Sequence, residues 1–89
     1  MNSRTTRRFR ELFAAMPVHA QRQAREAYRL FRENPRHPGL HFKRVHGDPP
    51  TYSARVGIGY RATAVLDGGA AIWFWIGTHA DYSKLLEHL

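Results

Sequence analysis

Two arginines in the C-terminal half have the chemistry needed to hold a phosphodiester. Arg55 and Arg61 stand on either side of Gly57–Gly59, a segment that the sequence predicts as a tight turn between two strands. Because side chains alternate along a strand, both arginines can point to one open face of a sheet. Two converging guanidinium groups would grip a phosphate and stabilise the extra charge of a pentacoordinate transition state. The alternative interpretation is a pair of solvated arginines on a sheet surface.

A histidine and a tyrosine follow at a predicted helix start. Thr78 suits the N-cap position and Asp81 the third helical position, which places His79 in the first turn. Tyr82 is three residues further on and lies on the same side of the helix. Together the imidazole and the phenol could activate a hydroxyl or protonate a leaving oxygen. The alternative is that His79 helps to cap the helix and Tyr82 packs in the core.

Two further cations lie side by side on an earlier predicted strand. Lys43 and Arg44 are adjacent, so alternation lets only one of them share a face with Arg55. Either could bind the backbone of a substrate, and an ordinary surface charge is the alternative for each.

The composition gives no support for a metal or cofactor site. The chain has no cysteine, which excludes disulfides and thiolate catalysis. His37, His41 and His46 are close in sequence, but Pro38 and Gly39 prevent the helical spacing that a histidine metal site needs. We therefore expect no metal and no other cofactor.

The charge is large and unevenly distributed. Fourteen Lys and Arg, twelve of them Arg, stand against seven Asp and Glu, and the net charge is +7. Residues 1–44 hold eleven of the cations and only three of the acids. Such a field attracts nucleic acid or an acidic protein, and a merely soluble basic surface is the alternative.

The apolar pattern predicts two helices followed by strands. Apolar residues recur at helical spacing from Phe9 to Met16, and a second helix with an alanine-rich inner stripe runs from about Pro17 to Glu33. We expect these helices to form a closely packed antiparallel hairpin. From Leu40 onward the period changes to two, and the Asp67–Gly69 sequence predicts a hairpin turn. Predicted strands cover residues 40–45, 52–57, 60–66 and 70–76, with Trp73 and Trp75 on one face of the last strand.

These elements predict one α+β domain over residues 1–89. An N-terminal helical hairpin would pack on a curved antiparallel sheet of three to four strands, followed by a short C-terminal helix. No apolar run is long enough to span a membrane, and Met1–Arg10 lacks the apolar core of a signal peptide. We therefore expect a cytoplasmic protein without a membrane partner.

Four segments, taken in order, resemble the RelE-like toxins of the RelE/ParE superfamily in bacterial toxin–antitoxin systems. These are Pro38–Lys43, Tyr52–Val56, Gly59–Ala62 and Trp75–Tyr82. The preceding helical hairpin resembles theirs as well, so the resemblance covers nearly the whole chain.

The resemblance implies a toxin that a cognate antitoxin holds inactive. It also implies an mRNA interferase, a metal-independent endoribonuclease that in many members cleaves message on the ribosome. By position, Arg55 and Arg61 match the catalytic strand arginines, and His79 and Tyr82 match the acid–base residues. Lys43 matches a substrate-binding position, with Arg44 beside it.

The chain departs from the RelE-like pattern in three places, and these departures leave alternatives open. Met1–Thr6 is short and polar where many members have a strand, so that strand is expected to be missing or rudimentary. Asp48, in a proline-rich loop, is no clear counterpart of the glutamate base, and the lysine set is reduced to Lys43. ParE-like relatives share the fold, inhibit DNA gyrase and are not nucleases. A gyrase inhibitor and a non-catalytic nucleic-acid-binding protein are therefore the alternatives.

Overall fold

The computed structural model describes residues 1–89, which form one five-stranded sheet and three α-helices. The strands follow the order β1-β5-β4-β3-β2 across the sheet, in which β1 runs parallel to β5 and all other neighbours are antiparallel. None of the helices is long and apolar enough to cross a membrane. In chain order the elements are β1 Asn2–Thr5, α1 Arg7–Ala14, α2 Val18–Glu33, a 3₁₀ turn Pro38–Leu40, β2 Lys43–His46, β3 Thr51–Val56, β4 Tyr60–Asp67, β5 Ala70–Thr78 and α3 His79–Glu87.

The predicted helical hairpin is present, and local hydrogen bonds define its ends. The Thr6 hydroxyl accepts a hydrogen bond from the Phe9 N–H at 3.1 Å, which caps the start of α1. Pro17 immediately precedes α2 and disfavours helical geometry at the residue before it. The Gln21 amide of α2 then donates to the carbonyl oxygens of Phe13 and Met16, so α2 satisfies carbonyl groups at the end of α1.

The two helices lie on the same face of the sheet but over different strands. α1 packs mainly against β5 and α2 against β3, with β4 between them. The close packing of the two helices predicted from the alanine stripe is not seen, because each helix packs on the sheet rather than on the other helix. Of the alanines in the stripe, only Ala20 is fully buried. Ala24 and Ala27 instead line an apolar groove of about 370 Å³ between the helices, whose floor includes Ala62 of β4.

The core lies between this helical layer and the sheet. Phe31 of α2 is 2% exposed and meets Phe42 and Trp73 edge to face, with ring centroids 5.1 and 5.2 Å apart. Small side chains on the sheet leave room for these rings, because alanine occupies several core positions of β3, β4 and β5. These alanines are Ala54, Ala62, Ala64 and Ala71.

The sheet has one strand more than predicted, and it is mixed rather than purely antiparallel. β1 pairs with β5 from Asn2 opposite Ala70 to Thr5 opposite Trp73. Its side chains are polar and mostly exposed, so it has none of the apolar alternation by which strands are recognised in a sequence. Backbone pairing to β5 holds β1 in place, and this pairing does not depend on a pattern of residue types.

The prediction that the two tryptophans share a face of the last strand was wrong. Trp75 pairs with Thr63, whereas Trp73 pairs with the next residue of β4, Ala64, so Phe74 is an extra residue in a β-bulge. The bulge shifts the alternation by one position. Trp73 therefore packs in the core, and Trp75 lies on the opposite face of the sheet.

We predict that Phe31→Ala lowers the free energy of unfolding by about 3–5 kcal/mol, because it removes a buried ring and leaves a cavity. Tyr28→Ala on the same helix is the matched control, since Tyr28 is 42% exposed and its loss should cost clearly less. Urea denaturation followed by circular dichroism measures both. Equal losses would contradict the central place of Phe31 in the core.

Candidate functional site

The register of β3 and β4 places Arg55 directly opposite Arg61. Side chains of directly opposed residues leave the sheet on the same side. Their neighbours Ala54, Val56 and Ala62 are buried in the core beneath the helices, so the arginines occupy the other side. We call this side, which carries Arg55, Arg61 and Trp75, the site face.

Both guanidinium groups are oriented by nearby carbonyl oxygens. Arg55 donates from Nε to the oxygen of Gly57 at 3.2 Å, and Arg61 donates from Nη1 to the oxygen of Tyr60 at 2.9 Å. Each side chain is half-buried, and neither forms an ion pair with a carboxylate. Like charges directly opposite each other across a sheet are destabilising. A bound anion would relieve this repulsion.

The structure brings Lys43 to the site face and leaves Arg44 away from it. Lys43 is opposite Ser53, which lies two residues before Arg55 on β3 and so shares its face. Arg44 is opposite Tyr52, so its side chain leaves the strand on the helical side of the sheet. Its Nη2 donates to the carbonyl oxygen of Gly47 at 2.8 Å.

The start of α3 lies at the same end of the sheet as the two arginines. Gly77 of β5 is opposite Arg61, and α3 begins two residues later at His79. The Thr78 hydroxyl accepts from the Asp81 N–H at 3.2 Å, which is the predicted cap. The His79 N–H donates to the carbonyl oxygen of Gly59 at 2.9 Å, while its imidazole is exposed.

Tyr82 lies beside His79 and is also packed in the protein, so the structure combines the two alternatives considered for it. Its ring centroid is 5.9 Å from that of His79 and 6.4 Å from that of Trp75. The residue is only 6% exposed, so most of the ring is packed. Tyr82 therefore contributes to the packing of α3 on the sheet and also lies next to the histidine.

Trp75 is a site-face residue that the sequence analysis grouped with Trp73 on one face of the last strand. Its indole ring lies against Gly77, where an added Cβ would come within 2.8 Å of the ring. The glycine two residues after a tryptophan on one strand was a usable signal for this contact, because only glycine leaves room for the ring there. Trp75 forms a wall of the site beside Tyr82.

The carboxylate and the histidines that the sequence analysis considered as a base or as metal ligands do not gather at the two arginines. Asp48 lies in the β2–β3 loop, at the opposite end of β3 from Arg55. The structure has no group of three or more side chains that could hold a metal ion, and His37, His41 and His46 do not form one.

Most of the positive charge is free of ion pairs. Of fourteen cations only Arg7 and Arg29 form salt bridges, both on the helices. The hydrogen bond from Arg29 holds the pKa of the Glu26 carboxyl below its usual range, and Glu26 in turn raises the pKa of Arg29. The pairs of Arg29 are exposed on α2, and the other twelve cations apart from Arg7 and Arg29 form no ion pair, so the chain keeps a basic field.

Comparison with known proteins gives a family and a fold. A chain of the crystal structure of the RelB–RelE antitoxin–toxin complex from Methanococcus jannaschii superposes with a TM-score of 0.70 at 17% identity, covering 92% of this chain and 96% of that one. No curated protein matches in sequence. The sequence model of the family described as the ParE-like toxin domain matches residues 18–84, from the start of α2 into α3. The chain therefore belongs to the ParE-like toxin domain family, as the resemblance to RelE/ParE toxins predicted.

Proposed function

We propose that the chain is the toxin of a toxin–antitoxin system and acts as a metal-independent endoribonuclease on mRNA in the cytoplasm, free or on the ribosome, so that translation stops. The observation that carries the proposal is the Arg55–Arg61 pair, two opposed guanidinium groups without a carboxylate partner. His79 lies at the same end of the sheet, at the start of α3. A cation pair beside an exposed imidazole suits transfer chemistry at a phosphodiester.

The proposed reaction is an internal transesterification. A base removes the proton from a ribose 2′-hydroxyl, and O2′ attacks the adjacent phosphorus. The bond from phosphorus to O5′ breaks, and an acid returns a proton to O5′. The products are a 2′,3′-cyclic phosphate and a 5′-hydroxyl, with no net change in protons.

The arginines would bind the phosphate, and residues of α3 would transfer the protons. Arg55 donates to the Gly57 carbonyl from Nε, which leaves both terminal nitrogens free. These two nitrogens can donate to the non-bridging oxygens of the phosphate. Arg61 adds a second cation to the developing charge. His79 and Tyr82 share the base and acid steps, and Lys43 holds the RNA backbone one strand away.

A gyrase inhibitor is the second candidate, and two observations favour it. The matching family is the ParE-like one. In addition, the ring of Tyr82 is largely packed, and Asp48 lies at the opposite end of β3 from Arg55. Under this alternative the basic surface would contact gyrase or its DNA, and the site residues would have no part in bond cleavage.

The antitoxin would occupy the groove between α1 and α2. The groove is apolar, and two cations at its edge lie over aromatic rings: Arg25 over Phe13 at 5.1 Å and Arg32 over Tyr28 at 6.0 Å. Neither arginine has a carboxylate partner. An amphipathic helix with an apolar face and acidic flanks fits this surface. The similar RelB–RelE structure is a complex of a toxin with its antitoxin, which supports such a partner.

We predict that Arg61→Ala and His79→Ala each abolish growth arrest on induced expression. Loss of one charge-stabilising donor costs about 10²–10³-fold in rate. Loss of one acid–base group costs about 10²–10⁴-fold. Arg22 is an exposed residue of α2, so Arg22→Ala is the control and should remain toxic. Growth curves and primer-extension mapping of cellular message measure the outcome.

The gyrase alternative gives the opposite result in the same experiment. His79→Ala and Tyr82→Phe would both remain fully toxic, message would stay intact, and gyrase–DNA complexes would accumulate. That combination would replace the ribonuclease proposal.

We predict that co-expression of an adjacent antitoxin gene restores growth, and that Ala27→Glu in the groove prevents this rescue. The added carboxylate would place an unpaired charge against the apolar face of the partner helix. Ala14→Glu is the matched control, because Ala14 is exposed and lies outside the groove. Persisting toxicity of Ala27→Glu shows that the variant is folded. Full rescue of Ala27→Glu would mean that the antitoxin binds elsewhere.

A further inference from the structure

The turn between β3 and β4, residues 57–59, is hydrogen-bonded to two parts of the candidate site. Its Gly57 carbonyl accepts from Arg55 Nε, and its Gly59 carbonyl accepts from the His79 N–H. The next carbonyl along the chain, that of Tyr60, accepts from Arg61. Three backbone carbonyl groups within four residues thus set the directions of both arginines and the start of α3.

The direction of the Gly57 carbonyl depends on a backbone conformation that favours glycine. Gly57 has φ +60, in the left-handed region. An alanine there would be strained, and its Cβ would come within 2.5 Å of the Gln23 side-chain oxygen. Gln23 projects from α2, so the helical layer supports the turn from behind while the turn orients the site.

We propose that the 57–59 turn is a positioning element for the phosphate-binding arginines, with Gly57 fixing Arg55 and Gln23 holding Gly57 in place. Because the Gly57 carbonyl accepts from Nε, the two terminal nitrogens of Arg55 remain available for a bidentate contact. The catalytic consequence rests on the proposed function, whereas the orientation of Arg55 does not.

The sheet contains a matched control for the backbone strain. Gly68, in the β4–β5 hairpin, has φ +56, and nothing lies within 4 Å of a Cβ placed there. Gly68 is at the opposite end of β4 from Arg61. Gly57→Ala and Gly68→Ala therefore both place an alanine at a positive φ, but only the first also meets Gln23 and acts next to Arg55.

The experiment compares Gly57→Ala, Gly68→Ala and Gln23→Ala with the unmodified chain. Cleavage of an RNA oligonucleotide gives kcat and KM, and a 2′-deoxy oligonucleotide of the same sequence gives binding without cleavage. The ¹⁵N–¹H signal of Arg55 Nε reports its hydrogen bond directly. Thermal unfolding measures the loss of stability that an alanine at positive φ causes in both glycine variants.

We expect kcat to fall about 10²-fold in Gly57→Ala, the size of effect that misplacing a catalytic group by about 1 Å produces. The Arg55 Nε–H should shift and exchange faster with water. Gln23→Ala should change the same quantities in the same direction by a smaller factor, and it covers the case in which Gly57→Ala does not fold. Gly68→Ala should lower the stability of the chain, whereas its kcat and its Arg55 signal should stay unchanged.

Two results separate this inference from the proposed function. An unchanged Arg55 signal in both Gly57→Ala and Gln23→Ala, or equal kcat losses in Gly57→Ala and Gly68→Ala, would overturn the positioning role. If the unmodified chain cleaves no RNA, the proposed function fails, and the Arg55 signal together with affinity for the 2′-deoxy oligonucleotide still decides whether the turn orients the arginine.

Discussion

The direct opposition of Arg55 and Arg61 across β3 and β4 is the constraint around which the structure is arranged. Two like charges at one cross-strand position cost stability, and no carboxylate offsets them. The remaining structure must therefore supply the stability that this pair removes. It does so on the other side of the same strands, where alternating residues form a closely packed core.

The sheet separates packing from chemistry by its two faces. On the helical side, alanines leave space for Phe31 and Trp73, and burial of these rings drives folding. On the site face, cations stand beside a tryptophan and the terminal helix. The bulge at Phe74 is what makes both arrangements possible on β5, because it turns Trp73 inward and Trp75 toward α3.

The sequence was most informative where a local physical rule determines the structure. The Thr78 cap followed from a side-chain oxygen beside free N–H groups at a helix start. The Asp67–Gly69 hairpin followed from glycines that adopt positive φ, as Gly68 and Gly69 do.

Features that depend on partners distant in the chain were not predictable from sequence. β1 is held by backbone pairing and has no apolar alternation, and a bulge such as that at Phe74 leaves no trace in residue type. The groove forms because α1 and α2 rest on strands separated by β4, a spacing that no helical pattern encodes. The shared face of Arg55 and Arg61 could be anticipated because a short turn fixes the register, whereas their catalytic roles remain predictions.

The most direct test of phosphodiester cleavage is the chemistry of the RNA ends. The purified chain is incubated in EDTA with an RNA oligonucleotide, alone and as message on ribosomes, and the products are analysed by mass spectrometry. We predict 2′,3′-cyclic phosphate and 5′-hydroxyl ends, and no cleavage of the same oligonucleotide carrying 2′-deoxyriboses. Products with 3′-hydroxyl and 5′-phosphate ends, or intact RNA under both conditions, would contradict a transesterification at the Arg55–Arg61 pair.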